Sequence, residues 1–206
     1  MGSVFKGMAD DKRGREKKTA DAERRRRTRD IAAELEHGDD PEPPVDPQEL
    51  ADIDSELESL RFPATGAEIV GTVGDREVMS ATGSYTLEEL IPDTDSERFD
   101  SPRAVRVRIQ RPTVAAAIKR VVEASRGLPN ADRLGSQREA YTKTFHELTV
   151  VDADDDDEVV LAIGDWIVEQ IRENDELPSS RAVRRQAAKI CRANGYRVRD
   201  SDWLGI

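Results

Sequence analysis

The chain has 206 residues, of which 43 are acidic and 32 basic, for a formal charge of −11; hydrophobic residues make up 36% and aromatic residues 4%. Charge at 36% exceeds the usual ~25% and the apolar share falls below the usual ~45–50%, so small packed units joined by solvated segments are expected, not one large core. No apolar run approaches the ~18–20 residues of a membrane span, and the single cysteine, Cys191, excludes an internal disulfide and any multi-thiolate zinc site.

The chain opens on a charged stretch. No secretory signal is expected, because no apolar core of the required length occurs early in the chain. Lys6 stands where a myristoylation signal wants Ser or Thr, so no lipid anchor is expected. Met8-Ala9-Asp10-Asp11 reads as an alternative start. Residues 9–37 are almost all charge and alanine and include Arg24-Arg25-Arg26-Arg27. Pairs such as Glu23 and Arg27 support a helix only weakly, and no apolar stripe exists to dock it. A frayed, solvated helix or disorder is expected. Gly38 to Pro47 form a stiff Pro-rich linker.

Order is predicted from Asp46. Asp46-Pro47-Gln48-Glu49 starts a helix: Asp caps, Pro fits the first turn and Glu49 can bond back to the cap. Leu50, Ile53, Leu57 and Leu60 then form one apolar stripe. Thr65-Gly66-Ala67-Glu68 is a second capping box, leading into Ile69, Val70 and Val73, with Gly74 as the stop. Residues 76–86 carry Val78, Met79 and Tyr85 around Thr82-Gly83-Ser84, which predicts a short hairpin. Thr86-Leu87-Glu88-Glu89 caps a short helix through Ile91. At Ser101-Pro102 two signals compete. Val105, Val107 and Ile109 alternate with Arg106 and Arg108 as in a strand, while Ser-Pro-Arg-Ala is a helix start; helix is preferred. After Pro112, the stripe Val114, Ala117, Ile118, Val121, Val122 predicts a helix closed by Gly127.

The rest reads as helices. Ser136-Gln137-Arg138-Glu139 caps one over 137–148, with Ala140, Tyr141, Thr144, Phe145 and Leu148 on a face. The Asp154–Asp157 run precedes one carrying Val159, Val160, Ile163, Trp166, Ile167 and Ile171. Leu177-Pro178-Ser179-Ser180 precedes one through Asn194, ended by Gly195, and Trp203 and Leu204 are expected to fold back as an anchor. The expected fold is mainly α: two small helical units, the first with a short β-hairpin, behind a charged disordered or frayed-helix tail. The expected divisions are tail and linker at 1–47, a helical domain with hairpin at 48–127 and a three-helix unit at 128–206.

The charges are skewed by type and by position. There are 23 Asp, 20 Glu, 25 Arg and only 7 Lys. Excess Asp with Arg in place of Lys resembles the proteins of salt-in halophiles, since short carboxylates stay hydrated and long ammonium stems are avoided. At molar salt the Debye length falls to ~3 Å, so net charge reads as a solubility setting in a cytoplasmic protein. The informative quantity is the alternation of blocks: +3 over residues 1–37, −15 over 38–100, +6 over 101–127, −10 over 128–176 and +5 over 177–206.

Leu60-Arg61-Phe62-Pro63-Ala64-Thr65, Gly74-Asp75-Arg76-Glu77, Thr86-Leu87-Glu88-Glu89-Leu90 and Phe99-Asp100-Ser101-Pro102, with the Ala9-Asp10-Asp11-Lys12 tail, the basic run and the Pro-rich linker, carry a resemblance. Over about residues 8–110 the chain resembles an uncharacterised family of short acidic haloarchaeal proteins, a domain of unknown function. The resemblance implies a fold and brings no reaction or ligand with it. Residues 128–206 exceed the usual length of that family.

No catalytic, cofactor or metal constellation is expected. His37 and His146 have no second ligand at metal spacing and read as solvated surface histidines; Cys191 reads as a small residue on the apolar side of its helix. The Asp154–Glu158 cluster lacks the alternation and Gly turn of a calcium loop and reads as a capped, solvated helix start. Gly71-Thr72-Val73-Gly74 superficially matches the Gly-x-x-Gly loop that grips RNA, but its block carries −15. The better candidate is the helix at 180–194. At 100° per residue, Arg181, Arg185, Lys189 and Arg192 fall within about 80° of one another, with Arg184 just outside. Val183, Ala187 and Ile190 face the other way with Cys191 at the edge, and Arg197 and Arg199 extend the patch. Either these cations pair with the chain's own acidic blocks, such as 152–158, or they meet a partner. The expected role is a non-enzymatic interaction or adaptor protein with a protein partner; the alternative is a nucleic-acid-binding regulator using the basic helix. Against the alternative, phosphate-driven affinity falls steeply with salt, and only Gln186 is placed to read bases.

Overall fold

The computed structural model describes residues 45–80, 83–129, 135–151 and 157–195. The charged tail, most of the linker, Trp203 and Leu204 lie outside the described residues. Among the described residues the fold is mainly helical with one small hairpin.

Helix α1 spans Pro47–Leu57. Asp46 caps it by accepting the Gln48 N–H at 2.6 Å. Glu49 does not complete a capping box. Its carboxylate instead accepts the Met79 N–H at 2.8 Å, thirty positions along the chain, because the hairpin presents a donor better placed than the cap. Leu50, Ile53 and Leu57 are buried, and Leu60, beyond the helix end, packs partly buried against them. Next comes β1, Ala64–Thr65, and then α2, Gly66–Val73. The capping box at α2 is complete: Thr65 N–H donates to Glu68 at 2.8 Å and Glu68 N–H to the Thr65 hydroxyl at 3.2 Å. Gly66 is glycine for space, since a Cβ there would lie 2.1 Å from the Pro92 carbonyl oxygen. Residues 71–73 are helical, so Gly71 to Gly74 form no loop.

Strands β2, Glu77–Ser80, and β3, Gly83–Thr86, make the antiparallel hairpin, with buried Val78 opposite Tyr85. Helix α3, Leu87–Leu90, follows, with Thr86 N–H donating to Glu89 at 2.8 Å. Strand β4, Arg98–Phe99, then pairs antiparallel with β1, Ala64 opposite Phe99. The pairing closes a contact of long sequence separation that no local pattern announces. The ambiguous segment is a helix, α4, Pro102–Ile109, capped by Ser101, whose hydroxyl accepts the Ala104 N–H at 3.2 Å. Its apparent alternation has a helical explanation. Val105 and Ile109, four apart, are buried; Val107 is 40% exposed. Arg106 and Arg108 reach Asp54 at 3.1 Å and Glu97 at 2.7 Å, and Arg108 lies over the Phe99 ring at 5.5 Å.

Helix α5, Pro112–Ala124, runs into a 3-10 turn at Ser125–Gly127. The remaining helices are α6, Gly135–Val151, α7, Glu158–Asn174, and α8, Ser180–Ala193. Because α6 begins at Gly135, Ser136 lies inside the helix instead of capping it. Two apolar clusters result. One gathers α1 to α4 around Leu50, Ile69, Leu87 and Ile109; the other gathers α5 to α8 around Tyr141, Phe145, Ile163 and Val183. Helix α5 belongs to both: Ala115 faces the first cluster, while Val114, Ala117, Ile118, Val121 and Val122 face the second. At its closest approach α7 offers Gly164, where a Cβ would stand 3.1 Å from that of Ala117.

The start of α7 departs from expectation. Asp157 is not solvated: it is fully buried, in the left-handed region at φ 49°, and its side chain makes no helix cap. Its carboxylate accepts from the Thr113 hydroxyl and lies 3.9 Å from the buried Arg111 guanidinium. Residues 154–156 of the acidic run lie outside the described residues.

Candidate functional site

The basic helix α8 is built from a cap, a buried arc and a charged face. Ser179 caps it, accepting the Ala182 N–H at 3.2 Å. Its entry is pinned from α6, where Tyr141 and Gln137 both donate to the Pro178 carbonyl, Gln137 at 2.7 Å. Burial raises the Tyr141 hydroxyl to about 12, offset in part by the Gln137 hydrogen bond. Val183, Ala187, Ala188 and Cys191 are buried. Ile190 and Cys191 thus exchange the places expected of them: the thiol is in the core and Ile190 is half-buried at its margin.

The structure brings Arg181, Arg185, Lys189 and Arg192 together as one exposed stripe along α8. Among the described residues none of the four has an ion-pair partner. Arg184 stands apart. It is half-buried toward α6, lining a small pocket with Lys143, Thr144, Glu147 and Ser180. Arg197 and Arg199 lie outside the described residues. The arginines that do pair inward are elsewhere: Arg106, Arg108, Arg111 and Arg120 meet Asp54, Glu97, Asp157 and Asp165.

Beside the stripe runs a feature that the reading of the basic helix alone missed. An open groove of about 720 Å3 lies between α7 and α8, with half-buried Trp166 and Ile190 in its wall and Asp165, Glu169 and Glu173 along its α7 side. Gln186 lines this groove and not the cationic stripe. The acidic ladder was legible as Asp165, Glu169 and Glu173 at four-residue intervals, one face of a helix. His146 is half-buried on α6 instead of solvated, and His37 lies outside the described residues. Among the described residues no group of three or more His, Cys, Asp or Glu side chains is placed to hold a metal ion, and no helix is long and apolar enough to cross a membrane.

Residues 47–121 match the model of a family of unknown function (DUF5789). The match begins with α1 and ends inside α5. A domain of unknown function is therefore present where the resemblance placed it, extended to 121 and without the tail at 8–46. No curated protein and no solved structure matches the chain. Helices α6 to α8, with the stripe and the groove, lie outside the matched segment.

Proposed function

We propose that the chain is a non-enzymatic, cytoplasmic interaction protein that engages an acidic protein surface through the exposed face of α8. The observation that supports it is the stripe Arg181, Arg185, Lys189, Arg192, held outward without an ion-pair partner among the described residues. The placement works against the helix itself. Arg181–Arg185 and Arg185–Lys189 are like charges at i,i+4, each costing about 0.2–0.5 kcal/mol. Arg181 also sits in the first turn, where the macrodipole disfavours a cation by about 0.3–1 kcal/mol, and no acidic residue relieves it there. Charge that lowers stability and meets no partner among the described residues is what a docking face requires. The Asp and Arg bias of the chain fits a cytoplasm of high salt, in which such a contact must be short-ranged.

An acidic protein surface fits better than nucleic acid for two reasons. The carboxylates of α7 flank the stripe and repel an extended phosphate backbone. Gln186, the side chain best suited to reading a base, is turned into the groove. Fluorescence anisotropy of the full chain with labelled polyglutamate, duplex DNA and single-stranded RNA separates these readings. Saturable polyglutamate binding that weakens at least tenfold in the double variant Arg185→Glu, Lys189→Glu is the expected result. Binding confined to DNA or RNA would favour the regulator reading instead, and binding to none of the three would sink both.

A further inference from the structure

We propose that α7 and α8 together form a self-complementary surface on which a second copy of this chain docks, the cationic α8 of each copy lying on the anionic α7 of the other. The inference rests on the reading of α8 as a docking helix and names its partner.

The two helices carry opposite charge in equal measure. Residues 158–176 hold six acidic residues and one arginine, leaving −5, while residues 180–193 hold five cations and no acid, giving +5. They are neighbours in the fold, joined by the short connection 175–179 and packed into one apolar cluster through Ile167, Ile171, Val183 and Ala187. Their ladders share a repeat: Asp165, Glu169, Glu173 on one and Arg181, Arg185, Lys189 on the other recur every four residues, about 6 Å of helix rise. These charges do not neutralise one another within the chain. Asp165 is taken by Arg120. Among the described residues, Glu169 and Glu173 meet no cation and the four α8 cations meet no carboxylate.

A two-fold axis through the groove satisfies both ladders at once, since it sets α7 of each copy against α8 of the other. Setting α8 on α8 would oppose cation to cation, so the charge pattern selects that single arrangement. The groove then falls at the centre of the contact, where Trp166 and Ile190, both half-buried in one copy, supply an apolar anchor. The scale is modest. Helices of 17 and 14 residues are about 25 and 21 Å long and about 10 Å wide. Side by side they offer roughly 400–500 Å2 per copy, below the ~800 Å2 of a standard interface. The dimer is accordingly weak, populated at high protein concentration and weakened by salt.

Sedimentation velocity of the full chain over a range of concentrations tests this. The wild type is expected to show a reversible monomer–dimer equilibrium. Arg185→Glu with Lys189→Glu puts two carboxylates into the α8 ladder and cuts its charge from +5 to +1, and Glu169→Lys with Glu173→Lys puts two lysines into the α7 ladder and cuts its charge from −5 to −1. Each pair should raise the dissociation constant at least tenfold, and an equimolar mixture of the two should form a one-to-one dimer that neither forms alone. The neutral pair Arg185→Gln, Lys189→Gln keeps good helix formers and should raise the constant as well. A monomeric wild type that still binds polyglutamate overturns the dimer and leaves the docking reading standing; one that binds no polyanion overturns both. A dimer indifferent to every one of these substitutions also overturns the proposal.

Discussion

The hydroxyl of Thr113 donates to the carboxylate of Asp157 across 44 positions of the chain, joining the first turn of α5 to the residue that opens α7. Arg111 stands beside them, and all three side chains are buried. Asp157→Ala would take a buried carboxylate away from the Thr113 hydroxyl and the Arg111 guanidinium and is expected to cost about 1–3 kcal/mol. Asp157→Asn keeps a residue tolerant of positive φ and an oxygen for Thr113, so it should cost less. Urea denaturation of both variants checks the order, and equal losses would count against a charge-based account.

Gly66 yields a second prediction. Its Cβ would meet backbone, at 2.1 Å from the Pro92 carbonyl oxygen, and backbone cannot rotate aside as a side chain can. Its own N–H donates to the Glu97 carbonyl at 3.0 Å, so the segment that must move also carries the approach to the β1–β4 pairing. Gly66→Ala is expected to lose about 1–3 kcal/mol, despite the better helix propensity of alanine. An unchanged melting temperature would contradict the close approach.

Tyr141 makes stability fall in alkali. Burial lifts its hydroxyl to about 12 from the ordinary value of 10, so between these pH values the unfolded chain has released a proton that the folded chain retains. The contribution is fully present below pH 10 and is lost as pH rises toward 12, by an amount on the order of 2 kcal/mol. Denaturation midpoints measured across that window should decline, and the decline should be shallower in Tyr141→Phe. Spectrophotometric titration should show a phenol ionising near 12 that is absent in Tyr141→Phe.

Arg181→Glu should separate stability from binding. A carboxylate in the first turn of α8 agrees with the macrodipole and sits four residues before Arg185, the favourable order for an ion pair. The variant is expected to be more stable by about 0.5–1 kcal/mol while binding polyglutamate more weakly. Loss of both properties would mean that Arg181 is structural.

What the chain discloses in advance is mainly its local chemistry. Thr65 with Glu68, Thr86 with Glu89, Ser101 and Ser179 each satisfy backbone donors three residues away, so their helices can be read from short strings of residues. Contacts that close long loops leave no such trace. Glu49 looks like half of a capping box until the hairpin supplies the Met79 N–H, and Asp157 looks like one more solvated aspartate until Thr113 and Arg111 surround it. Residues 105–109 show the intermediate case. Their alternation is real, but two arginines that find carboxylates on neighbouring elements mimic the polar face of a strand. The candidate surface divides in the same way. The cations of α8 are visible on a helical wheel, whereas the groove needs α7 and α8 side by side.

Cys191, the only thiol of the chain, is sealed in the core on the inner face of α8. It is the natural clock of that helix. A thiol reagent can reach it only when α8 lifts away or the whole fold opens, so the modification rate sets an upper bound on the detachment of that one element. A ligand or second copy that held α8 down would slow that clock, and each substitution on its outer face would register in it without any added label.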